Sequence, residues 1–90
     1  MERKRNRTEI MYDILKIIQE RKGKIKRTHL MYKANLSHNQ MKLYLEDLER
    51  KKLINTKTPE GKPSLTITKR GQDFFLQYMK MREFERTFGL

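Results

Sequence analysis

The most restrictive feature of this sequence is a pair of β-like segments separated by a loop rich in proline and glycine. The segments are Leu53–Lys57 and Ser64–Thr68, and in the second one Leu65 and Ile67 alternate with hydroxyl side chains. The six residues between the segments include two prolines and a glycine, which favour a loop over regular structure. The pattern predicts one β-hairpin with a six-residue tip.

A helix with a strong start signal comes directly before this hairpin. Ser37 and Gln40 have the spacing of a capping box, in which each side chain bonds the backbone amide of the other residue. Apolar residues then recur every three or four positions up to about Arg50. This stripe consists of Met41, Tyr44, Leu45 and Leu48. We expect a helix here whose apolar side faces a core.

Four further elements have weaker local signals, which are apolar spacing, a capping residue or a break. The first is a helix over Thr8–Arg21, capped by Thr8 and followed by Gly23, and the second is an edge strand at Lys24-Ile25-Lys26. The third is a short helix that is capped by Thr28 and ended by Asn35-Leu36-Ser37. The fourth is a helix of about Lys69–Thr87, capped by Thr68. The predicted fold class is therefore α+β and mostly α, with a long C-terminal helix.

Length and cysteine content limit the kind of protein. Ninety residues suit one domain with one modest core. The absence of cysteine excludes disulfides, thiol nucleophiles and cysteine-based zinc sites. No apolar run reaches the roughly 18 residues of a membrane span, and the N-terminus has no apolar signal core. We expect a small cytoplasmic domain that has no membrane partner.

The positive charge of the chain is concentrated in two blocks. The formal net charge is +11, and residues 1–27 and 51–70 carry surpluses of six and five positive charges. Residues 28–50 and 71–90 are each neutral. Two basic blocks around a neutral middle favour two contact zones on one long polyanion over a generally charged surface.

Six short motifs, taken in order, carry a family likeness over about residues 8–90. They are Ile14-Leu15-x-x-Ile18, Lys24-Ile25-Lys26, Leu30-Met31-Tyr32-x-Ala34-Asn35-Leu36-Ser37, Leu45-x-x-Leu48, Leu53-Ile54 and Ile67-Thr68-x-x-Gly71-x-x-Phe74. Together they resemble the winged helix-turn-helix domains, in particular small archaeal ones with a long C-terminal helix. The resemblance implies a basic flexible arm at 1–7, a winged domain with a two-stranded wing at 8–76, and a dimerisation segment at 77–90.

The resemblance also implies that the N-terminal part of helix 37–50 lies in the major groove of double-stranded DNA. At 100° per residue, the arc opposite the apolar stripe holds Asn39, Leu43, Glu46 and Arg50, with other polar residues at its margins. Asparagine and glutamine can pair with adenine, lysine with guanine, and leucine can contact a thymine methyl. The candidate base contacts are His38, Asn39, Gln40, Lys42 and Leu43. Glu46 is expected to repel phosphate, so that the far half of the helix lifts away.

Flanking cations are candidates for contacts with phosphate or the minor groove. They fall into three groups: Lys26, Arg27 and Lys33 around the short helix, Lys57 and Lys62 on the wing, and Arg3, Lys4, Arg5 and Arg7 in the arm.

The last helix has more apolar residues than one small core needs. Phe74 and Phe75 are expected to complete the core. Beyond them, Tyr78, Met81, Phe84 and Phe88 are predicted to form a homodimer interface between two antiparallel helices.

Two lysines stand where such domains often carry glycine after the recognition helix. Lys51-Lys52 therefore predicts one of two arrangements. Either the turn differs from that of such domains, or one lysine adopts a positive φ. The second arrangement strains the lysine backbone by roughly 1 kcal/mol, which is tolerated in exchange for a positive charge near a phosphate.

Catalytic chemistry has little support in the sequence. The four glycines are isolated, the two histidines have no carboxylate at metal-ligand spacing, and the Glu46-Asp47 pair is interpreted as surface. We expect no cofactor, metal or small-molecule ligand.

The favoured interpretation is a dimeric transcriptional regulator that reads DNA sequence. The alternatives are a non-specific architectural chromatin protein in the nucleoid, a winged-helix RNA-binding protein with Tyr32 as a stacking aromatic, and a protein-interaction module anchored by Leu43.

Overall fold

A computed structural model describes residues 5–22, 24–57 and 64–90. It contains four helices and two strands in the order α1, α2, α3, β1, β2, α4. Their bounds are Arg7–Glu20 for α1, Arg27–Ala34 for α2, His38–Arg50 for α3, Ile54–Lys57 for β1, Ser64–Ile67 for β2 and Lys69–Thr87 for α4. The predicted α+β class, mostly α with a two-stranded hairpin and a long final helix, is confirmed.

The two strands form an antiparallel ladder. Ile54 pairs with Ile67 at one end of the ladder, and Lys57 pairs with Ser64 at the other. The predicted tip of the hairpin, residues 58–63, lies outside the described residues.

Two of the predicted helix starts are confirmed and two are wrong. Ser37 and Thr68 are the N-caps of α3 and α4, as expected. The N-cap of α1 is Asn6, which forms a capping box with Glu9, so Thr8 lies inside the first turn. Lys26 is the N-cap of α2 and makes no side-chain cap bond, so Thr28 also lies inside its helix.

The edge strand predicted at residues 24–26 does not form. Neither strand of the described sheet includes these residues, and Lys26 instead provides the extended backbone that precedes α2. Ile25 is nevertheless buried, as expected for its apolar side chain between two lysines. Burial of one side chain needs only an inward direction, whereas a strand also needs a partner for its backbone hydrogen bonds.

The core lies between α1, α2, α3 and the hairpin. Its fully buried side chains include Ile14, Leu15, Ile18, Leu30, Leu48, Ile54 and Leu65. Phe74 and Phe75 pack against this core from α4, as the sequence predicted. No helix among the described residues is both long and apolar enough to cross a membrane.

The turn after α3 contains the strained lysine that the sequence allowed. Lys52 has a φ of 60°, in the left-handed region that glycine usually occupies. Its carbonyl oxygen accepts a hydrogen bond from Thr68 Oγ1 at 2.7 Å, and the backbone amide of Thr68 donates to the Leu53 carbonyl at 3.1 Å. These bonds join the end of α3 to the start of α4 and hold the turn in place.

Candidate nucleic-acid interface

A short turn sets the position of α3 relative to α2. Asn35 adopts the left-handed conformation, with φ 56° and ψ 53°, that ends α2, and Leu36 is buried behind the turn. Ser37 then starts α3: its Oγ accepts from the Gln40 amide at 3.2 Å, and its own amide donates to Gln40 Oε1 at 2.9 Å. The turn and the start of α3 are therefore specified by residues within a few positions of each other.

The outward face of α3 presents polar side chains on a firmly packed base. Met41, Leu45 and Leu48 are buried under the helix, and Tyr44 is half-buried. His38, Asn39, Lys42 and Leu43 are exposed, with 64% of Leu43 accessible to solvent. All four of these candidate base contacts are therefore accessible to a partner.

Gln40 is exposed as well, but its side chain already has a structural role. Its Oε1 accepts the Ser37 amide in the capping box. A bidentate pair with adenine needs both the oxygen and the nitrogen of the amide, so such a pair requires the cap to open. Gln40 is therefore a weaker candidate for base contact than Asn39.

A groove of about 180 Å³ between α2 and α3 adds Thr28 to the candidate surface. Arg27 and Thr28, from the first turn of α2, line it beside His38 and Lys42 of α3. Because Lys26 and not Thr28 is the N-cap of α2, Thr28 lies in the first turn of the helix.

Asp47, which the sequence pattern predicts to lie on the surface beside Glu46, is instead buried at the centre of a cluster of charged side chains. It is 4% exposed, and its carboxylate accepts hydrogen bonds from Lys51 Nζ at 2.6 Å and from Arg7 Nη2. Arg50 forms a longer ion pair with it at 3.6 Å. Hydrogen bonds from Lys51 and Arg7 lower the pKa of Asp47 to about 2 against the opposing effect of burial, so the carboxylate is ionised at neutral pH.

Two arginines of the expected basic arm are engaged within the protein. Arg7 lies inside α1, not ahead of it, and donates to Asp47. Arg5 Nη1 donates to Asp13 at 2.8 Å, and its Nη2 donates to the carbonyl oxygens of Ala34 at 2.6 Å and Asn35 at 3.3 Å. Arg5 thus satisfies carbonyl groups that the end of α2 leaves without helical partners.

The other flanking cations are only partly described. Lys33 is exposed on α2. Lys57 lies in β1, opposite Ser64. Arg3, Lys4, Lys62 and the side chain of Lys57 lie outside the described part of the structure. Tyr32, the aromatic candidate for stacking, is exposed on α2.

The structure corrects the proposed dimer interface at Tyr78. Tyr78 is 7% exposed because its ring packs on Tyr12 of α1, with ring centroids 4.6 Å apart, and lies 6.3 Å from Phe74. The sequence pattern instead predicts that Tyr78 has few packing partners within its own domain. Met81, Phe84 and Phe88, further along α4, are exposed, and the rings of the two phenylalanines are 4.9 Å apart.

Within the described residues, no group of three or more histidine or acidic side chains is placed to hold a metal ion.

Comparisons with known proteins are consistent with this arrangement. A family model described as winged helix-turn-helix matches residues 4–86. The chain is also similar to the crystal structure of Sso10a-2, a DNA-binding protein from Sulfolobus solfataricus, with 27% sequence identity and a TM-score of 0.71. The similarity covers 92% of this chain and 87% of that chain. No curated protein shows significant similarity to the sequence.

Proposed function

The chain belongs to the winged helix-turn-helix family, and on this basis we propose that it binds double-stranded DNA as a dimeric, sequence-reading transcriptional regulator. The N-terminal half of α3 enters the major groove. Lys33, Lys57, Lys62 and the basic N-terminus contact the phosphate backbone beside it. The proposal includes no catalytic step.

One observation carries the proposal. Asn39, Lys42 and Leu43 project from a helix whose opposite side is buried in the core. A rigid base for these side chains limits the loss of conformational freedom on binding. Their amide, ammonium and methyl groups are suited to adenine, guanine and thymine.

Charge and similarity support the same partner. A net charge of +11 on 90 residues strongly favours a polyanion. Sso10a-2, which shares the fold over most of both chains, is described as a DNA-binding protein.

Selection of bound sequences from a pool of random duplexes tests the proposal most directly. A palindromic motif supports a dimeric regulator, because the two-fold symmetry of the protein is then matched in the DNA. Binding without any motif points instead to an architectural protein. Tighter binding to duplex RNA than to duplex DNA of equal length contradicts the proposal.

Asn39→Ala is expected to weaken binding to the selected duplex by about 1–3 kcal/mol, because it removes a bidentate contact with one base. Binding to random duplex is expected to change little. Fluorescence anisotropy on both duplexes measures the difference.

Gln19→Ala is the matched control, since it removes an exposed amide at the far end of α1. It is expected to bind both duplexes like the parent protein. Equal losses on selected and random duplex for Asn39→Ala contradict the role of Asn39 in reading sequence.

The exposed end of α4 supports the dimer. Met81, Phe84 and Phe88 expose apolar surface on α4, whereas Tyr78 and Arg82 of the same helix contact α1. Two such helices, packed antiparallel about a two-fold axis, bury this surface on both copies. The proposed interface therefore consists of Met81, Phe84 and Phe88, without the buried Tyr78.

Phe84→Lys is expected to convert the protein to a monomer, because it places a charge at the centre of the proposed interface. Sedimentation velocity measures the mass, and circular dichroism checks that the helices persist. Glu83→Lys, at the adjacent exposed position, is expected to remain dimeric. A dimer of Phe84→Lys at the same protein concentration refutes this interface.

A further inference from the structure

A cluster of cations lies at the C-terminal end of α3, where Arg7, Asp47 and Arg50 line one cavity with the candidate base contacts Gln40 and Leu43. Arg7 from α1, together with Arg50 and Lys51, surrounds the carboxylate of Asp47 within 4.0 Å. The side chains of the three cations are 64%, 74% and 47% exposed, whereas that of Asp47 is 6% exposed. Because three positive charges face one negative charge, the cluster presents a surplus of two positive charges to solvent.

The position of the cluster along α3 matches the geometry of the DNA duplex. Arg50 follows Asn39 by three turns of helix, which places it about 16 Å further along and within roughly 20° of the same face. The major groove is about 12 Å wide. An α3 axis that is inclined to the groove, with its first turns at the base edges, therefore brings Arg50 towards the phosphate backbone.

The same distances account for Glu46, the acidic residue on this face. Glu46 lies two turns beyond Asn39, at roughly 10 Å, which is within the width of the groove. Its carboxylate is then positioned over the open groove and not against a phosphate. In this arrangement Glu46 need not lift the far half of α3 from the DNA, because Glu46 and Arg50 lie at different distances from the bases.

The contacts with Asp47 restrict two of the cations before any anion binds. Hydrogen bonds hold Lys51 Nζ and Arg7 Nη2 against the carboxylate, so these long side chains have already lost part of their rotamer freedom. Arginine can donate two parallel hydrogen bonds to a phosphate, and Arg50, with only a long ion pair to Asp47, keeps most of its donors available.

We propose that Arg7, Arg50 and Lys51, held together by Asp47, form a binding site for a backbone phosphate of the duplex whose bases α3 reads. This inference rests on the proposed function, and it assigns Arg7 to a phosphate beside the major groove in place of the minor groove. The contact is independent of base sequence, so it adds affinity without changing preference.

Arg50→Ala tests the site, since Arg50 has the weakest contact with Asp47 and its loss leaves the Arg7 and Lys51 hydrogen bonds intact. Binding of the selected duplex is measured by anisotropy over a series of salt concentrations. The slope of log K against log salt is expected to become shallower by about 0.9, as for the loss of one phosphate contact. Preference for selected over random duplex is expected to stay unchanged.

Arg21→Ala is the matched control. Arg21 caps the end of α1 opposite to Arg7, and the variant also removes one positive charge. Its salt slope is expected to equal that of the parent, and Arg50→Lys is expected to restore most of the slope. Equal slopes for Arg50→Ala and Arg21→Ala overturn the phosphate site while leaving the Asn39 result intact. Failure of the parent protein to bind duplex DNA overturns both the site and the proposed function.

Discussion

Leu48→Ala is expected to lower the free energy of unfolding by about 2–5 kcal/mol, which is the usual cost of truncating a fully buried leucine. Leu48 is 0% exposed and lies on the inner side of α3, in the same cluster as Ile14, Leu30 and Ile54. The substitution removes apolar contacts and leaves a cavity directly beneath the helix that carries the candidate base contacts. For a domain of this size, such a loss is a large part of the total stability.

Urea unfolding followed by circular dichroism measures this loss, and Leu43→Ala is the control on the same helix. Leu43 is 64% exposed, so its truncation is expected to change stability by less than about 0.5 kcal/mol. Leu43→Ala is expected to lower the affinity for DNA more than Leu48→Ala does, since only Leu43 faces outward. Similar stabilities for both variants indicate that α3 does not pack on the core through Leu48.

Gly71→Ala is expected to destabilise the protein by up to about 3 kcal/mol, although alanine is normally the better helix former by about 1 kcal/mol. An added Cβ lies 2.2 Å from the carbonyl oxygen of Leu53 and 2.7 Å from Cγ1 of Ile67. The Leu53 oxygen accepts the amide of Thr68, the N-cap of α4, so it cannot move away without weakening that bond. The clash therefore separates α4 from the base of the hairpin.

Thermal or urea unfolding checks the Gly71 prediction against Gln72→Ala, a substitution at the next, exposed position of α4. Gln72→Ala is expected to leave stability nearly unchanged. If Gly71→Ala is as stable as the parent or more so, α4 does not pack against the hairpin as closely as these distances state.

Much of the fold follows from interactions between residues close together in the sequence. Ser37 and Gln40 are three positions apart, Thr68 caps the amide of Gly71 three positions on, and both helices begin where these pairs predict. The apolar stripe of α3 and the alternation around Leu65 identify the buried sides. Such features can be predicted from the sequence because cap bonds and the helical repeat involve residues within one turn.

The incorrect predictions arose where several local signals competed. Asn6, Thr8 and Thr28 are all residue types that favour N-caps, but only Asn6 has a glutamate at the third position that completes a capping box. Lys26 is the N-cap of α2 although its side chain makes no cap bond, so residue type gives no signal for this helix start. A scan of residue types alone cannot rank such candidates.

The sequence by itself determined the helices, the hairpin, the apolar sides and the excess of positive charge, since each depends on neighbouring residues or on composition. Only the tertiary structure decided which polar and aromatic groups are available to a partner. Asp47 accepts a hydrogen bond from Arg7, forty positions earlier, and the ring of Tyr78 packs on Tyr12 of α1. Arg5 is held by carbonyl groups 29 and 30 positions away. Contacts of this range arise when whole helices pack, so no local pattern in the chain encodes them.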